Sequence, residues 1–515
     1  MEQEKENSRN EADAEKPDAA AEARGGRGSP PDAAAESDQL REGGRDSPPE
    51  RLKAGGRGSS IDIEVESPAA RRSLIVGLAW PALAESILAS VVSMADMIMV
   101  SSLGAYAIGA VGLVTQPRFV MLASFMALNI GSTAMVSRFK GARDRENANL
   151  VLHQSMLMTL GITVLLCLAM FIGGETLVRF LAGKNISENM IQGALSYLRI
   201  QVYGFPTLSL TFTINAVLRG VGNTRASFYN NLVSNLVNIF FNYCLIGGNL
   251  GFPAWGVAGA SIATVMGQCA ALGMAFWVAL SGKEYIHLEF KKLLRFNFSM
   301  MRRIAKIGIP ALVEQLIMRI GVMLFTIVVT SLGDHSYAAH MVAMNIQQLS
   351  FTTGMAFGTA ATTLVGQCLG RVRSDLAMLY VKMTQNLSYI VSIVVALLLL
   401  FGGEFLSSFY SKDRELVLLA ANMLKIIALL NPFSNARFVY LAALRGAGDS
   451  RFAAVVTFVG VLLVRPILSV ILVMPQFPFR IGLTGVWIAL SSDGVICYFL
   501  ARKRFLKGEW ASIKV

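Results

Sequence analysis

The sequence predicts an all-α polytopic membrane protein in which twelve transmembrane helices form two pseudo-symmetric six-helix lobes. Three observations carry that prediction. Only 16% of the 515 residues are charged while 54% are hydrophobic, and mean hydropathy is +0.52, whereas an ordinary soluble chain carries about a quarter charged residues. Apolar stretches of about 20 residues, the length a helix needs to cross a hydrocarbon core, follow one another from position 74 to position 501. The order of residues then repeats at an offset of 229.

The formal net charge of +12 is the sum of two opposed segments. Residues 1–70 hold 17 of the 34 acids and 10 of the 46 bases, so they carry −7 and the remainder carries +19. This first segment is rich in Ala, Glu, Arg, Gly and Pro and loosely repeats Gly25-Gly-Arg-Gly-Ser-Pro at Gly43 and Gly55. It has too few large apolar residues to offset the entropy of ordering, so a flexible cytoplasmic tail is expected. Its acids exclude an organelle transit peptide, and no basic-then-apolar secretory signal opens the chain.

The spans expected to be helical are 74–101, 113–137, 150–173, 193–216, 226–248, 256–281, 304–331, 340–366, 378–402, 418–443, 452–475 and 481–501. Helices are required because a lone strand edge or bare loop leaves backbone groups unpaired in lipid, and the ten-residue alternation of a membrane barrel is missing from the sequence. Bases concentrate in alternate loops: Arg138, Lys140, Arg143 and Arg145, then Arg219 and Arg225, then Lys291 to Lys306, Arg371 with Arg373, Arg445 with Arg451, and Arg502 to Lys507. The other loops hold few, such as Arg179, Lys184, Lys412, Arg414 and Arg480. By the positive-inside rule both termini are cytoplasmic. The +19 is thus a membrane address, and no nucleic-acid partner is expected.

The repeat divides the body. Pro81-Ala-Leu-Ala-Glu85 falls on Pro310-Ala-Leu-Val-Glu314, and from Pro81 to Gly104 the copies share 10 of 24 residues. The offset becomes 226 where Leu218–Arg225 falls on Leu444–Arg451, and returns to 229 where Gly256-Val falls on Gly485-Val. Six helices per copy is an even number, so the copies run parallel about an axis along the membrane normal, with a midplane cavity between them. The domain boundaries that follow are a tail at 1–70, a first lobe at 71–285, a cytoplasmic linker at 286–300, a second lobe at 301–505 and a C-terminal tail at 506–515.

Trp80-Pro, Met94-Ala-Asp-Met97 and Ser102-Leu-Gly104, followed by Gly131, Val136-Ser137, Gly141-Ala142, Tyr197-Leu-Arg-Ile200, Leu218-Arg-Gly220 and Gly222-Asn-Thr-Arg225, together resemble the multidrug and toxic compound extrusion (MATE) family. The resemblance covers about residues 71–505. It implies a secondary antiporter of the plasma (inner) membrane, not an enzyme, exporting organic, often cationic compounds in exchange for sodium ions or protons. Such a protein works as a monomer in the bilayer, with a small organic substrate and no cofactor besides the coupling ion. An organic-acid exporter of the same family and a lipid-linked sugar flippase of related plan are the alternatives.

Of the 17 acids in the body, Asp96 stands out. It lies roughly 12 Å inside the outer end of its helix, where a carboxylate is read by default as part of an ion or substrate path. Its repeat counterpart is Phe325, so the architecture does not require the acid. Glu85 lies eleven residues earlier, three turns away and on the same face, so that face carries two acids toward one cavity and Glu85 is a further cation-coupling candidate; its counterpart Glu314 equally allows a shared structural function near Pro81 and Pro310. The resemblance places Asn238, Asn242 and Thr264 beside Asp96 as cation ligands, with Asn242 standing where some members have a second aspartate and Ser434 where some have a further acid. Helix-to-helix hydrogen bonding accounts for the three polar residues equally well. Glu314, Met94, Met97, Met318 and Phe325 are the expected cavity residues, since thioethers and aromatic faces adapt to apolar cations.

Five scattered cysteines have no metal or redox spacing and read as packing residues. The chain contains no phosphate-cradling loop for ATP. Asn185-Ile-Ser187 is a glycosylation signal only in a glycosylating host.

Overall fold

The computed structural model describes residues 67–182, 187–282, 284–473 and 481–513. The expected tail up to residue 66, Lys184, Asn185 and Arg480 lie outside the described residues. Twelve helical rods follow in order: α1 (Pro68–Ser101), α2 (Ala105–Gly141), α3 (Arg145–Ala182), α4 (Glu188–Gly220), α5 (Thr224–Gly247), α6 (Gly256–Leu280), α7 (Phe298–Thr330), α8 (Asp334–Gly370), α9 (Ser374–Ser408), α10 (Arg414–Gly446), α11 (Ser450–Val473) and α12 (Leu483–Leu506). Most of the rods are longer than the apolar spans, and polar side chains cap several of their starts. Asn223 Oδ1 accepts from the Ala226 N–H at 2.9 Å, and Asn297 Oδ1 from the Met300 N–H at 2.9 Å, as N-caps do.

Among the described residues, nine of these helices are long and apolar enough to cross a membrane; α4, α5 and α8 fall short. Those three bury polar side chains instead, among them Thr213, Asn215, Asn230, Asn238, Asn242, Gln347 and Thr363. A polar interior shared between packed helices is how such spans persist in lipid.

The repeat is visible in the backbone. Gly104 and Gly333, 229 residues apart, close the α1–α2 and α7–α8 turns at φ of 102° and 91°, a region that favours glycine. Arg143 and Val372 bear the same relation and are both left-handed, at 59° and 58°.

The ends of the rods that carry Arg138–Arg145, Arg219–Arg225 and Arg445–Arg451 form the basic end of the molecule, and there the lobes interlock. The first helix of each lobe packs on the second helix of the other: Ile75 and Leu78 of α1 join Phe357, Ala360 and Leu364 of α8, while Ile304 and Ile307 of α7 join Leu128 and Met135 of α2. On the pseudo-twofold axis itself, Gly141 abuts the Gln367 backbone, Gly370 abuts the Arg138 backbone, and Ser137 abuts Gly366. Each contact is the 229-residue image of another or of itself. Small residues allow this approach, which is how helices associate where lipid offers no hydrophobic driving force. Hydrogen bonds cross the seam as well, among them Thr363 Oγ1 to the Arg219 carbonyl at 2.9 Å and Gln367 Nε2 to the Gly220 carbonyl at 3.2 Å.

The inter-lobe linker is strapped to α3. Asn149 Oδ1 accepts from the His287 N–H, His153 Nε2 from the Glu289 N–H and Gln154 Oε1 from the Asn297 N–H, all within 3.0 Å, and Ile286 and Leu288 are buried. The expected C-terminal tail also packs: Trp510 is fully buried, stacked on Phe505 with centroids 4.7 Å apart.

Candidate functional site: a carboxylate cluster in the first lobe

Asp96 projects from the half of α1 beyond the interlocked end, toward α5 and α6. Asn242 Nδ2 donates to Asp96 Oδ1 at 2.6 Å. With its amide nitrogen facing the carboxylate, Asn238 donates to the same oxygen at 2.9 Å and accepts from the Thr264 N–H at 3.3 Å; the opposite orientation would set carbonyl against carboxylate. Asn238 and Asn242 lie one turn apart on α5 and so share a face. The Thr264 hydroxyl donates to the Ala260 carbonyl at 2.9 Å.

Four residues expected from sequence, Asp96, Asn238, Asn242 and Thr264, are thus brought together. The Asn242 carbonyl oxygen is buried with no hydrogen-bond partner. A buried acceptor in that condition is costly. Beside a carboxylate, it offers a hard oxygen ligand of the kind that suits an alkali cation or a proton-bearing carboxyl.

Glu85 does not join this cluster. Eleven residues along α1 is about 16 Å at the helical rise. Glu85 instead meets Arg219 at 3.5 Å, accepts from Asn231 Nδ2 at 2.6 Å and from Ser227 Oγ at 3.3 Å. The second lobe repeats the arrangement: Arg445 Nε donates to Glu314 Oε2 at 3.1 Å with a second, shorter bond to Oε1, and Thr457, the counterpart of Asn231, donates at 3.0 Å. These are paired acids, Glu314 buried and Glu85 half-buried, tying α1 to α4–α5 and α7 to α10–α11. Glu314→Ala is expected to cost about 3 kcal/mol, because it strands a largely buried guanidinium, and to lower the midpoint of thermal unfolding in detergent. Glu314→Met with Arg445→Met is expected to recover most of that loss.

The expected cavity set divides as well. Met94 and Met97 are 65% and 45% exposed, and Met318 is half-buried. Phe325 and Glu314 are each 2% exposed. Phe325 belongs to the second lobe's core with Val329, Ala343, Met423 and Trp487, so in this arrangement of the lobes neither side chain lines a cavity. The reason is symmetry broken by chemistry: an apolar side chain at the position of Asp96 packs inward.

Sequence reasoning missed several charged residues. Arg118 of α2 acts electrostatically on Asp96, and its Nε is buried without a partner. Starting the second span at 113 put Arg118 near a membrane boundary, whereas α2 begins at Ala105. Asp493, fully buried on α12 against Arg437 and Arg465, is a second intramembrane acid, so Asp96 does not stand alone. A charge inside an apolar span was the available signal for all four residues. Arg319 of α7 lies over the Phe119 ring of α2 at 3.7 Å, a contact between lobes.

The MatE family model matches residues 81–244 and again 310–471, two copies in the register of the internal repeat. The chain is 28% identical over 446 residues to the "Probable multidrug resistance protein NorM" of Thermotoga maritima, covering 86% of this chain and 94% of that one. It is 25% identical over 391 residues to the "Multidrug resistance protein MdtK" of Yersinia pestis, covering 75% and 84%. Among solved structures, a MOP superfamily transporter from Pyrococcus furiosus superposes with a TM-score of 0.78 at 21% identity, covering 85% of this chain and 95% of that one. A structure described as the outward-facing conformation of a multidrug resistance MATE family transporter gives the same TM-score, covering 85% and 97%. With both halves of the chain matched and the twelve-helix fold shared, the chain belongs to the MATE family of multi-pass membrane transporters.

Proposed function

We propose that the protein is a secondary active antiporter exporting organic, mainly cationic compounds in exchange for sodium ions or protons, and that Asp96 takes up the coupling cation. The observation that carries this reading is the Asp96 carboxylate set inside α1 against two asparagines, one with an unpartnered carbonyl oxygen. The multidrug relatives support the substrate class. The basic end is cytoplasmic by the positive-inside rule, which puts both termini inside the cell and makes the interlocked arrangement the one closed to the cytoplasm. Substrate enters between the lobes when that seam opens, and the cation arriving from outside favours the sealed arrangement. A ligand shifts such an equilibrium only by its differential affinity for the two states, so Asp96 is solvated differently in each.

The test is transport in reconstituted vesicles with sodium and proton gradients imposed separately. One of the two gradients is expected to drive a cationic dye against its own gradient. Movement of an anionic dye alone would favour the organic-acid reading, and dye movement indifferent to both gradients would sink the proposal.

A further inference from the structure

The second lobe contains a buried charge cluster at the place symmetric to the Asp96 site. Asp493 of α12, fully buried, accepts from Arg437 Nη1 of α10 at 3.0 Å and from Arg465 Nε of α11 at 2.6 Å. Both arginines are over nine-tenths buried. An offset of 229 carries Thr264 onto Asp493 and Asp96 onto Phe325. The Arg465 guanidinium carbon lies 5.6 Å from the Phe325 ring, within the range of a cation–π contact. Arg465 therefore spans the counterparts of Asp96 and Thr264.

The third side of the first-lobe site also has its image. The offset of 226 that relates α5 to α11 carries Ile239 onto Arg465. Immediately before Arg465, Phe458–Val464 is wound as a π-helix, whose i→i+5 bonding takes one more residue per turn. That extra residue turns Arg465 onto the face held in α5 by Asn238, and Asn238 touches Thr264 as Arg465 touches Asp493.

We propose that the Arg465 guanidinium is a resident cation of the second lobe, fixed on Asp493 with Arg437 as its neighbour, in the place that the first lobe leaves to an exchangeable cation. This rests on the Asp96 reading above and deepens it. Coupling then runs through one lobe, and a single cation is exchanged per chain. Two guanidinium groups on one carboxylate leave the cluster at +1, which further repels a mobile cation from that lobe.

The test counts cations bound by the full-length protein in detergent, using radioactive sodium at pH 8 and, in parallel, proton uptake on acidification from pH 8. The expected count is one Asp96-dependent cation in the natural chain and none in Asp96→Asn. A cation that persists in Asp96→Asn and disappears when the cluster is made apolar (Arg437→Met, Arg465→Met, Asp493→Leu) overturns the inference while leaving a second-lobe site in its stead. A cation retained in both variants, or no Asp96-dependent binding of either ion, sinks the Asp96 reading and this inference with it. A gain-of-site variant strengthens the experiment: Arg437→Met with Arg465→Met on the Asp96→Asn background is expected to regain one cation at Asp493. A monodisperse triple variant that regains none counts against the equivalence of the two places.

Discussion

Asp96→Asn is expected to reduce gradient-driven efflux of a cationic dye to the uncoupled background while the protein still folds and reaches the membrane. The amide keeps the shape of the side chain and an oxygen for the Asn242 amide to donate to, so packing of α1 on α5 survives. What disappears is the charge. Swinging a two-state lobe equilibrium from one side to the other takes a differential affinity on the order of 10⁴, about 5.5 kcal/mol. Asn238, Asn242 and Thr264 carry no charge that could replace it, and the Arg118 guanidinium, which acts electrostatically on Asp96, opposes a cation at a site without the carboxylate. Asp96→Glu restores the charge one methylene out of place and is expected to retain coupling with weaker cation affinity. Dye efflux from energised vesicles, normalised to protein in the membrane, checks both variants, and undiminished efflux from Asp96→Asn would refute the assignment.

Gly370→Leu is expected to abolish transport by a different route, through the seam. A Cβ at residue 370 runs into the Arg138 carbonyl, and one at Gly141 into the Gln367 carbonyl. Both obstacles are backbone of the opposite lobe and cannot rotate away. The lobes are then held apart at the basic end, and Thr363, fully buried in the sealed arrangement with its hydroxyl on the Arg219 carbonyl, becomes accessible. A Thr363→Cys reporter should react with a polar maleimide at least ~10-fold faster in the Gly370→Leu background, since a 1.4 kcal/mol shift in the open population suffices for that factor. Gly161→Leu, at a glycine with open space around it, is the matched control and should leave both labelling and transport unchanged. Unaltered labelling in Gly370→Leu would mean that the seam yields without opening.

The architecture was legible in the sequence because lipid enforces it: each span had to be a helix, and the duplication fixed the lobes. Helix ends were less legible, since Ser, Asn and Asp caps carry several of the rods beyond their apolar cores. The first-lobe cluster was half legible. Asp96 announced itself by its cost, and the resemblance supplied Asn238, Asn242 and Thr264. Glu85 shared a helical face with Asp96, but a face extends the length of the rod, and 16 Å along it the acid meets Arg219 instead. Arg437, Arg465 and Asp493 escaped because they come from three helices, and only their convergence shows that both guanidinium groups share one carboxylate. The aromatic ring of Phe325 suits a cavity wall and a packed core alike, and here it sits in the core of the second lobe.

The three helices too polar to qualify as membrane spans have a bearing on how the chain is made. α4 and α5 are consecutive, so during synthesis two neighbouring segments arrive that each partition poorly into lipid. Entering as a hairpin shields Asn215 with Asn230 at 2.7 Å between them, and packing of α5 on α1 then covers Asn238 and Asn242 against Asp96. The residues of the carboxylate cluster are therefore expected to act as a checkpoint of assembly as well, at which a first lobe whose helices have entered out of order leaves its most polar surface facing the acyl chains.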